Sequence, residues 1–410
     1  MLTADKTKKD KILLLGGSAQ QVPVILKAKE MGLLTVLIDY LPDNPGQFYA
    51  DKWYAESTTD IETVYRIALE EKVDGILSYA SDPAAVPAAI VSERLGLPTN
   101  PVEAIETLGE KHKFRQFLKD NNFACPNFII FRSEDNLNLI LDEIKKLTLP
   151  IIVKPTDSSG SKGVTLLRDI EGIDEAIKKA TKFSRNHILI AEEYIKGNNN
   201  GVTGGDIFIE NGVIVVFGAM KAMRESHNPL IPVGEIFPSD LQYLQKEKVE
   251  RELQRIINLL QIKNGEFNIE VILDNEDNVY FLEIGPRAGG NMIPIQLSDV
   301  FNIDLLEANI QIAMGVETHL MPQSTSEVFA TYVVNTQSDG FFEGLFLSRD
   351  LTPYVYREYL YKRSGEKVEQ FDSAGKAIGI LFLRFPNLST ANNVLKKMHE
   401  KVKLVAQKDG

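Results

Sequence analysis

Cysteine is almost missing from this chain: among 410 residues there is one, Cys125, between Ala124 and Pro126. A lone thiol makes no internal disulfide, and with no histidine close in sequence it reads as a small buried residue rather than a nucleophile. Histidine is scarce too. His112, His187, His227, His319 and His399 form no close pair, so the ligand spacing of a zinc site is lacking. Positive charge is in deficit, with a net charge of −12. Phosphate backbones need a basic face, which excludes nucleic acid as the main partner. No run approaches the roughly eighteen apolar residues of a membrane span, and GVIVVFGAM reads only as a core strand. The opening MLTADKTKKDK has no apolar stretch after its lysines, giving the expectation of no signal peptide and a cytoplasmic protein. Internal repeats and low-complexity segments are absent as well.

What remains has an ordinary globular composition, 44% apolar and 25% charged, at a length that asks for two or three domains. Lys11–Gly17 (KILLLGG) is a short apolar run ending in glycine, as a buried parallel strand should be. A helix over Val22–Met31, the strand LLTVLIDY, the stretch ADKWYAES, a helix through TVYRIALEEK and the strand VDGILSYA continue the alternation. Alternating strands and helices predict a doubly wound parallel sheet with ligands at the strand carboxyl ends. The first turn, GGSAQQ, with Asp39 after the second strand, invites a dinucleotide reading. Ser18 and Gln21 stand where that fingerprint needs glycine, so a nicotinamide cofactor is rejected. Ser81 and Asp82 follow the third apolar strand and read as a helix N-cap in preference to a substrate contact.

Beyond the prolines at 98 and 101 come a helix carrying Lys111, Lys113, Phe114 and Phe117, then a strand, loop and strand in LPIIVKPTDSSGSKGVTLL. HILIAEEYIKG is a further strand, NNNGVTGG an extended mobile loop, and DIFIENGVIVVFGAMK a hairpin with a type I′ turn at Asn211-Gly212. Helices are expected over Leu241–Leu260 and Asp304–Met314. From Val328 short strands take over, with one amphipathic helix, TANNVLKKMHEKVKLV, whose lysines 396, 397, 401 and 403 form a solvated face.

The stretch with the clearest chemistry is Asn268–Asn291, NIEVILDNEDNVYFLEIGPRAGGN. It reads as two strands joined by the DNEDN turn, with Glu270 leaving the sheet away from its apolar neighbours and Glu283 interrupting a buried run. A hairpin brings the two carboxylates together, and they repel unless a cation lies between them. Oxygen-only ligands suit magnesium, which completes its shell with water and nucleotide phosphates. Arg287, four residues on, is within reach of the anion such a metal holds. The competing reading is a pair of solvated carboxylates on an edge hairpin. Upstream, Ser158, Ser159, Gly160, Ser161, Lys162 and Gly163 form a small-residue loop able to fold over phosphates as an anion nest, or merely to connect strands. Lys154 ends an apolar strand and is costly to bury unless it meets an anion; otherwise it snorkels to solvent. Glu192 and Glu193 close another strand, whose following backbone suits an adenine edge. Lys221 and Arg224 neutralise charge near the phosphates or stay solvated.

In order, Lys113, Lys154, the glycine loop, the Glu-Glu-Tyr-Ile strand end, Glu270, Glu283 and Arg287 resemble the ATP-grasp superfamily over the whole chain. The resemblance implies α/β and α+β architecture: a parallel α/β domain over 1–100, an ATP-grasp domain over 101–325 with a lid-bearing subdomain at about 123–192, and a β-rich domain over 326–410. It implies that Lys113 and Lys154 hold the ATP phosphates and that Ser158 to Gly163 form the lid. The linker Glu192, Glu193, Tyr194 and Ile195 would read adenine through the backbone of Glu193 and Ile195. Glu270 and Glu283 would bind magnesium, with manganese as a substitute, and Arg287, with Lys221 beside it, would face the reacting acyl phosphate. Two positions depart from the pattern. Gly285 stands where many members have a metal-binding Asn, leaving Asn291 or water in its place. No acid aligns for the ribose: Asn199 or Asn200 would serve, and Asp206 stands further along than that role asks.

The spacing of Glu270, Glu283 and Arg287, thirteen residues and then four, is similar to that of L-amino acid ligases. The implied activity is an ADP-forming ligase joining a small carboxylate to an amine through an acyl phosphate. A bicarbonate-activating enzyme and a non-catalytic ATP-binding protein are the alternatives. The biotin-dependent form of the first is disfavoured, since Ala219-Met220-Lys221-Ala222 fails as a carrier motif. Relatives commonly dimerise, so a homodimer is an expectation that no sequence feature decides.

Overall fold

The computed structural model describes residues 9–158, 160, 162–198, 201–225 and 228–407. Near the N-terminus, strands Lys52–Tyr54, Leu34–Ile38, Lys11–Leu15 and Gly75–Leu77 lie side by side in that order, all parallel. Ile12, Leu13, Leu14 and Leu15 are each at most 2% exposed, and full burial of such side chains stabilises by about 1.5–3 kcal/mol apiece. Leu13 and Leu15 meet helices Ile61–Glu71 and Asp82–Leu95 on one face. Ile12 and Leu14 meet helix Val22–Glu30 on the other, together with Leu306 and Ile310 of the distant helix Leu305–Ala313. Asp39 is buried and accepts hydrogen bonds from Gly17 N, Leu41 N and Asn44 Nδ2 at 2.6, 2.9 and 2.7 Å. It is a turn organiser.

A second sheet, antiparallel, orders Phe128–Arg132, Ile188–Glu193, Ile151–Pro155 and Thr165–Leu167. Helices Leu137–Ile144 and Ile173–Phe183 close its apolar face through Ile140, Ile144, Ile173 and Ala176.

The largest sheet has eight strands: Val279–Gly285, Gly265–Leu273, Val202–Glu210, Val213–Glu225, Asn228–Phe237, Val328–Val334, Gly379–Phe385 and Val355–Leu360. Helices Val102–Gly109, Lys111–Asp120 and Tyr243–Leu259 cover one face of its first strands, where Ile207, Ile269, Val271 and Phe281 are buried. Helices Ile293–Phe301 and Leu305–Ala313 lie against the other, over Phe208, Val216 and Met220. Ile236 pairs with Ala330, so one sheet joins strands from both sides of the domain boundary expected at 325. A three-stranded sheet, Lys367–Val368, Gly340–Leu347 and Val402–Gln407, completes the strand-rich C-terminal region.

Two local expectations change. Val202 to Gly205 is strand, not loop, because both neighbouring strands need its backbone hydrogen bonds. Gly205, at φ +124°, has no room for a side chain: a Cβ would lie 2.0 Å from Gly218 O. The C-terminal helix is shorter than its charge pattern suggests. Leu388–Leu395 and Met398–Lys401 are helical, whereas Val402 and Leu404 alternate inward and pair with Leu347 and Leu345.

Candidate active site

The Asn268–Asn291 hairpin forms as read, with Asp274 Oδ1 accepting the N–H groups of Glu276 and Asn278 at 2.9 Å each to close the turn. Glu270 sits directly opposite Glu283. Simple alternation would not have put them there. Val279 and Phe281 are core residues at 5% and 1% exposure, and strict two-residue periodicity would send Glu283 into the same core. Val271 pairs with Phe281, leaving Leu282 as an extra residue. This bulge turns Glu283 onto the face of Glu270. Burial first, and then the charge of Glu283, raise the Glu270 carboxyl above its ordinary range, so the pair favours a bound cation or proton. Among the described residues no group of three or more His, Cys, Asp or Glu is arranged for a metal. Two carboxylates fit magnesium that also takes oxygens from a nucleotide and water.

The lysine at this pair is Lys111, not Lys113. Lys111 Nζ lies 3.2 Å from Glu283 Oε2 and donates to Ser158 O at 2.9 Å, joining the hairpin to the glycine loop. Lys113, two residues on and so on another side of the helix, pairs with Glu106 and Glu110 at 2.9 and 3.0 Å. Ser158, Gly160, Lys162 and Gly163 follow strand Ile151–Pro155, with both glycines in the left-handed region at φ +63° and +78°. Ser159, Ser161, Asn199, Asn200 and His227 lie outside the described residues.

Lys154 is buried. It pairs with Glu192 Oε1, and Arg115 Nε donates to Glu192 Oε2 at 2.8 Å. Arg115, wholly buried, also donates to Phe281 O and Leu282 O at 3.0 and 3.1 Å, tying the bulge to the second sheet. Burial works against the Glu192 carboxylate, but Arg115 and Lys154 together hold it down to about 2. Two cations against one carboxylate leave one positive charge in excess. Burial, with Arg115 beside it, accordingly lowers the Lys154 ammonium despite Glu192. An anion next to Lys154 relieves that excess.

Glu193 points the opposite way, accepting from Asn127 Nδ2 at 3.0 Å and Thr148 N at 2.8 Å. The N–H groups of Glu193 and Tyr194 are taken by Asn127 O and Pro150 O; among the described residues that of Ile195 has no acceptor. This leaves the Ile195 N–H as the linker donor open to a ligand.

Lys221 does not join the carboxylates. Met220 pairs with Gly204, which pairs with Glu270, so Met220 shares the face of Glu270 and Lys221 points to the other. There its ammonium meets Asp240. Burial raises the carboxyls of both Glu270 and Glu235, and the charge of Arg224 opposes the rise at each. Glu235, 5% exposed, has no hydrogen-bond partner for Oε2 among the described residues. Burial pushes its carboxyl up to about 8, opposed by Arg224 and reinforced by Glu270 and Asp206.

Arg287 donates from Nε and Nη2 to the two oxygens of Asp82 at 2.6 and 2.8 Å, and from Nη1 to Ala288 O at 2.9 Å. Asp82 begins helix Asp82–Leu95 with Ser81 at its N-cap. Its partner stands 205 residues away, so nothing local marks the contact. Asp206, 1% exposed, accepts from Asn268 Nδ2 and Gly289 N at 2.8 and 2.7 Å; it braces the loop after the hairpin. Asn291 N donates to Gln20 Oε1 at 2.6 Å. A cavity of about 430 Å³ opens beside the hairpin, lined by Asp82, Lys111, Asp157, Ser158, Glu283 and Gly285 among others.

Comparison with known proteins places these features. Residues 147–295 match the family model of the ATP-grasp domain. In sequence the chain is 25% identical over 294 residues to the carbamoyl phosphate synthase large chain of Clostridium acetobutylicum, a match covering 70% of this chain and 26% of that protein. The chain thus spans about a quarter of the length of such relatives. In structure it superposes on the L-amino acid ligase of Bacillus licheniformis with a TM-score of 0.80 at 19% identity, covering 98% of this chain and 100% of that one. The biotin carboxylase domain of Hydrogenobacter thermophilus 2-oxoglutarate carboxylase, a dimer solved with MgADP, ADP and bicarbonate, gives a TM-score of 0.76 at 18% identity, over 97% and 91% of the two chains. Both likenesses are of fold. No helix among the described residues is long and apolar enough to cross a membrane. The chain carries an ATP-grasp domain over residues 147–295, set within the fold that the ligase and the carboxylase share.

Proposed function

We propose that this protein is an ATP-dependent, ADP-forming ligase that phosphorylates a small carboxylate and passes the acyl group to an amine. The observation that carries the reading is the opposed Glu270–Glu283 pair, with Lys111 bridging Glu283 to the glycine loop and Arg287 close behind. Magnesium bound at the two carboxylates would neutralise charge on a triphosphate and orient its terminal phosphoryl group. Lys154 and Lys111 would hold the phosphates, and the Ile195 N–H the adenine. The loop beginning at Ser158 would exclude water from an acyl phosphate, a mixed anhydride that water destroys. Arg287 would stabilise the oxyanion formed when the amine attacks. Fold likeness to an L-amino acid ligase supports amino-acid-like substrates.

A second reading, activation of bicarbonate, draws support from the sequence match to carbamoyl phosphate synthase. Phosphate release from ATP, measured with pooled amino acids and separately with bicarbonate, distinguishes the two. The ligase reading expects release stimulated by amino acids, with ligated products visible by mass spectrometry. Stimulation by bicarbonate alone transfers support to the second reading, and ATP turnover indifferent to every addition contradicts both.

A further inference from the structure

The Arg287 guanidinium has five N–H groups, and three are engaged: two by Asp82 and one by Ala288 O. One N–H on each terminal nitrogen remains. Arginine side chains lose rotamer entropy when ordered, and here Asp82 orders Arg287 in advance. Asp82 remains a carboxylate. Burial opposes its ionisation, but Arg287 and, more weakly, Lys111 hold it below the usual range. Gly285 belongs to the same arrangement. A Cβ at that position would lie 3.1 Å from Asp82 Oδ1 and 3.4 Å from Arg287 Cζ. A metal-binding side chain there would therefore press on the Asp82–Arg287 pair.

We propose that Asp82, supplied by the N-terminal α/β unit, is a positioning residue that presents the two remaining N–H groups of Arg287 to the terminal phosphoryl group, and that Gly285 is the space this pairing requires. The inference rests on the proposed function, which puts that phosphoryl group beside Glu270 and Glu283. Guanidinium and phosphoryl oxygens match as a two-pronged contact. Presented this way, Arg287 distinguishes a nucleoside triphosphate from a diphosphate. A salt bridge serving only to join the N-terminal unit to the large sheet would not.

Affinities for MgADP and for the magnesium complex of the β,γ-imido analogue of ATP, measured by calorimetry on the full chain, test this. Asp82→Asn is expected to weaken the analogue at least 10-fold while leaving MgADP within about 2-fold. Gly285→Ala, which alters no charge, is expected to shift the same ratio in the same direction, and Asp82→Glu to recover part of it. Loss of both affinities together, or an unchanged ratio in Asp82→Asn and Gly285→Ala, overturns the inference while leaving the proposed function standing. Failure of the unaltered protein to bind either nucleotide overturns both.

Discussion

Replacing Glu283 with alanine is expected to lower ATP turnover by roughly three orders of magnitude or more, because a metal ligand and a phosphate-lysine anchor leave together. Glu283 is opposite Glu270 and 3.2 Å from Lys111, so its loss leaves one carboxylate for the cation and frees Lys111 from the hairpin. Glu283→Gln keeps the shape and removes only the charge; it should fall nearly as far. Groups that hold one metal act as a unit, so the double replacement of Glu270 and Glu283 should be little worse than either alone. Phosphate release under saturating ATP and magnesium reads the effect. Activity within 10-fold of the parent protein would contradict a metal role for the pair and restore the solvated-hairpin reading.

Arg115→Met should separate stability from binding at the neighbouring triad. Breaking a buried ion pair from one side costs about 3–5 kcal/mol. Arg115 carries more than one contact, since it also satisfies the carbonyls of Phe281 and Leu282 at the bulge. The variant is expected to unfold at clearly lower denaturant concentration. Lys154→Met removes the surplus cation instead, and Glu192 keeps Arg115. Its unfolding midpoint should stay close to that of the parent, while nucleotide affinity falls about 10-fold or more, the loss expected from one charge-assisted contact to phosphate. Equal destabilisation by both replacements, with unchanged nucleotide binding in Lys154→Met, would show the triad to be structural alone.

The parts legible in the sequence were those with a short period. Strands such as KILLL and the alternation of the N-terminal unit follow from local burial, and the DNEDN turn places Glu270 near Glu283 within one hairpin. The pair's orientation was not legible, because it depends on a bulge at Leu282 that Arg115 stabilises from 166 and 167 residues away. Choosing between Lys111 and Lys113 required the rotation of one helix against the sheet, and choosing between Lys221 and Arg224 required the ladder register. A one-residue slip reverses the face in the ladder and turns the side chain by about 100° on the helix. Asp82 looked like a helix start, which it is, and its second role lies across the fold. Gly285 was visible as a departure from a family pattern; its reason, the crowding of Asp82 and Arg287, appears only in three dimensions. Residues 402–405 read as helix because the lysines suggest a charged face, whereas Val402 and Leu404 follow a strand period.

Transfer of a phosphoryl group to a carboxylate leaves an isotopic trace. When the acyl phosphate is consumed by an amine, one carboxylate oxygen departs with the phosphate. With ATP, magnesium and a pool of amino acids labelled with oxygen-18 in the carboxyl group, the inorganic phosphate released should carry one labelled oxygen, resolved by its phosphorus NMR shift. Phosphate that is released in amino-acid-dependent turnover yet carries no label would contradict carboxylate activation at this site.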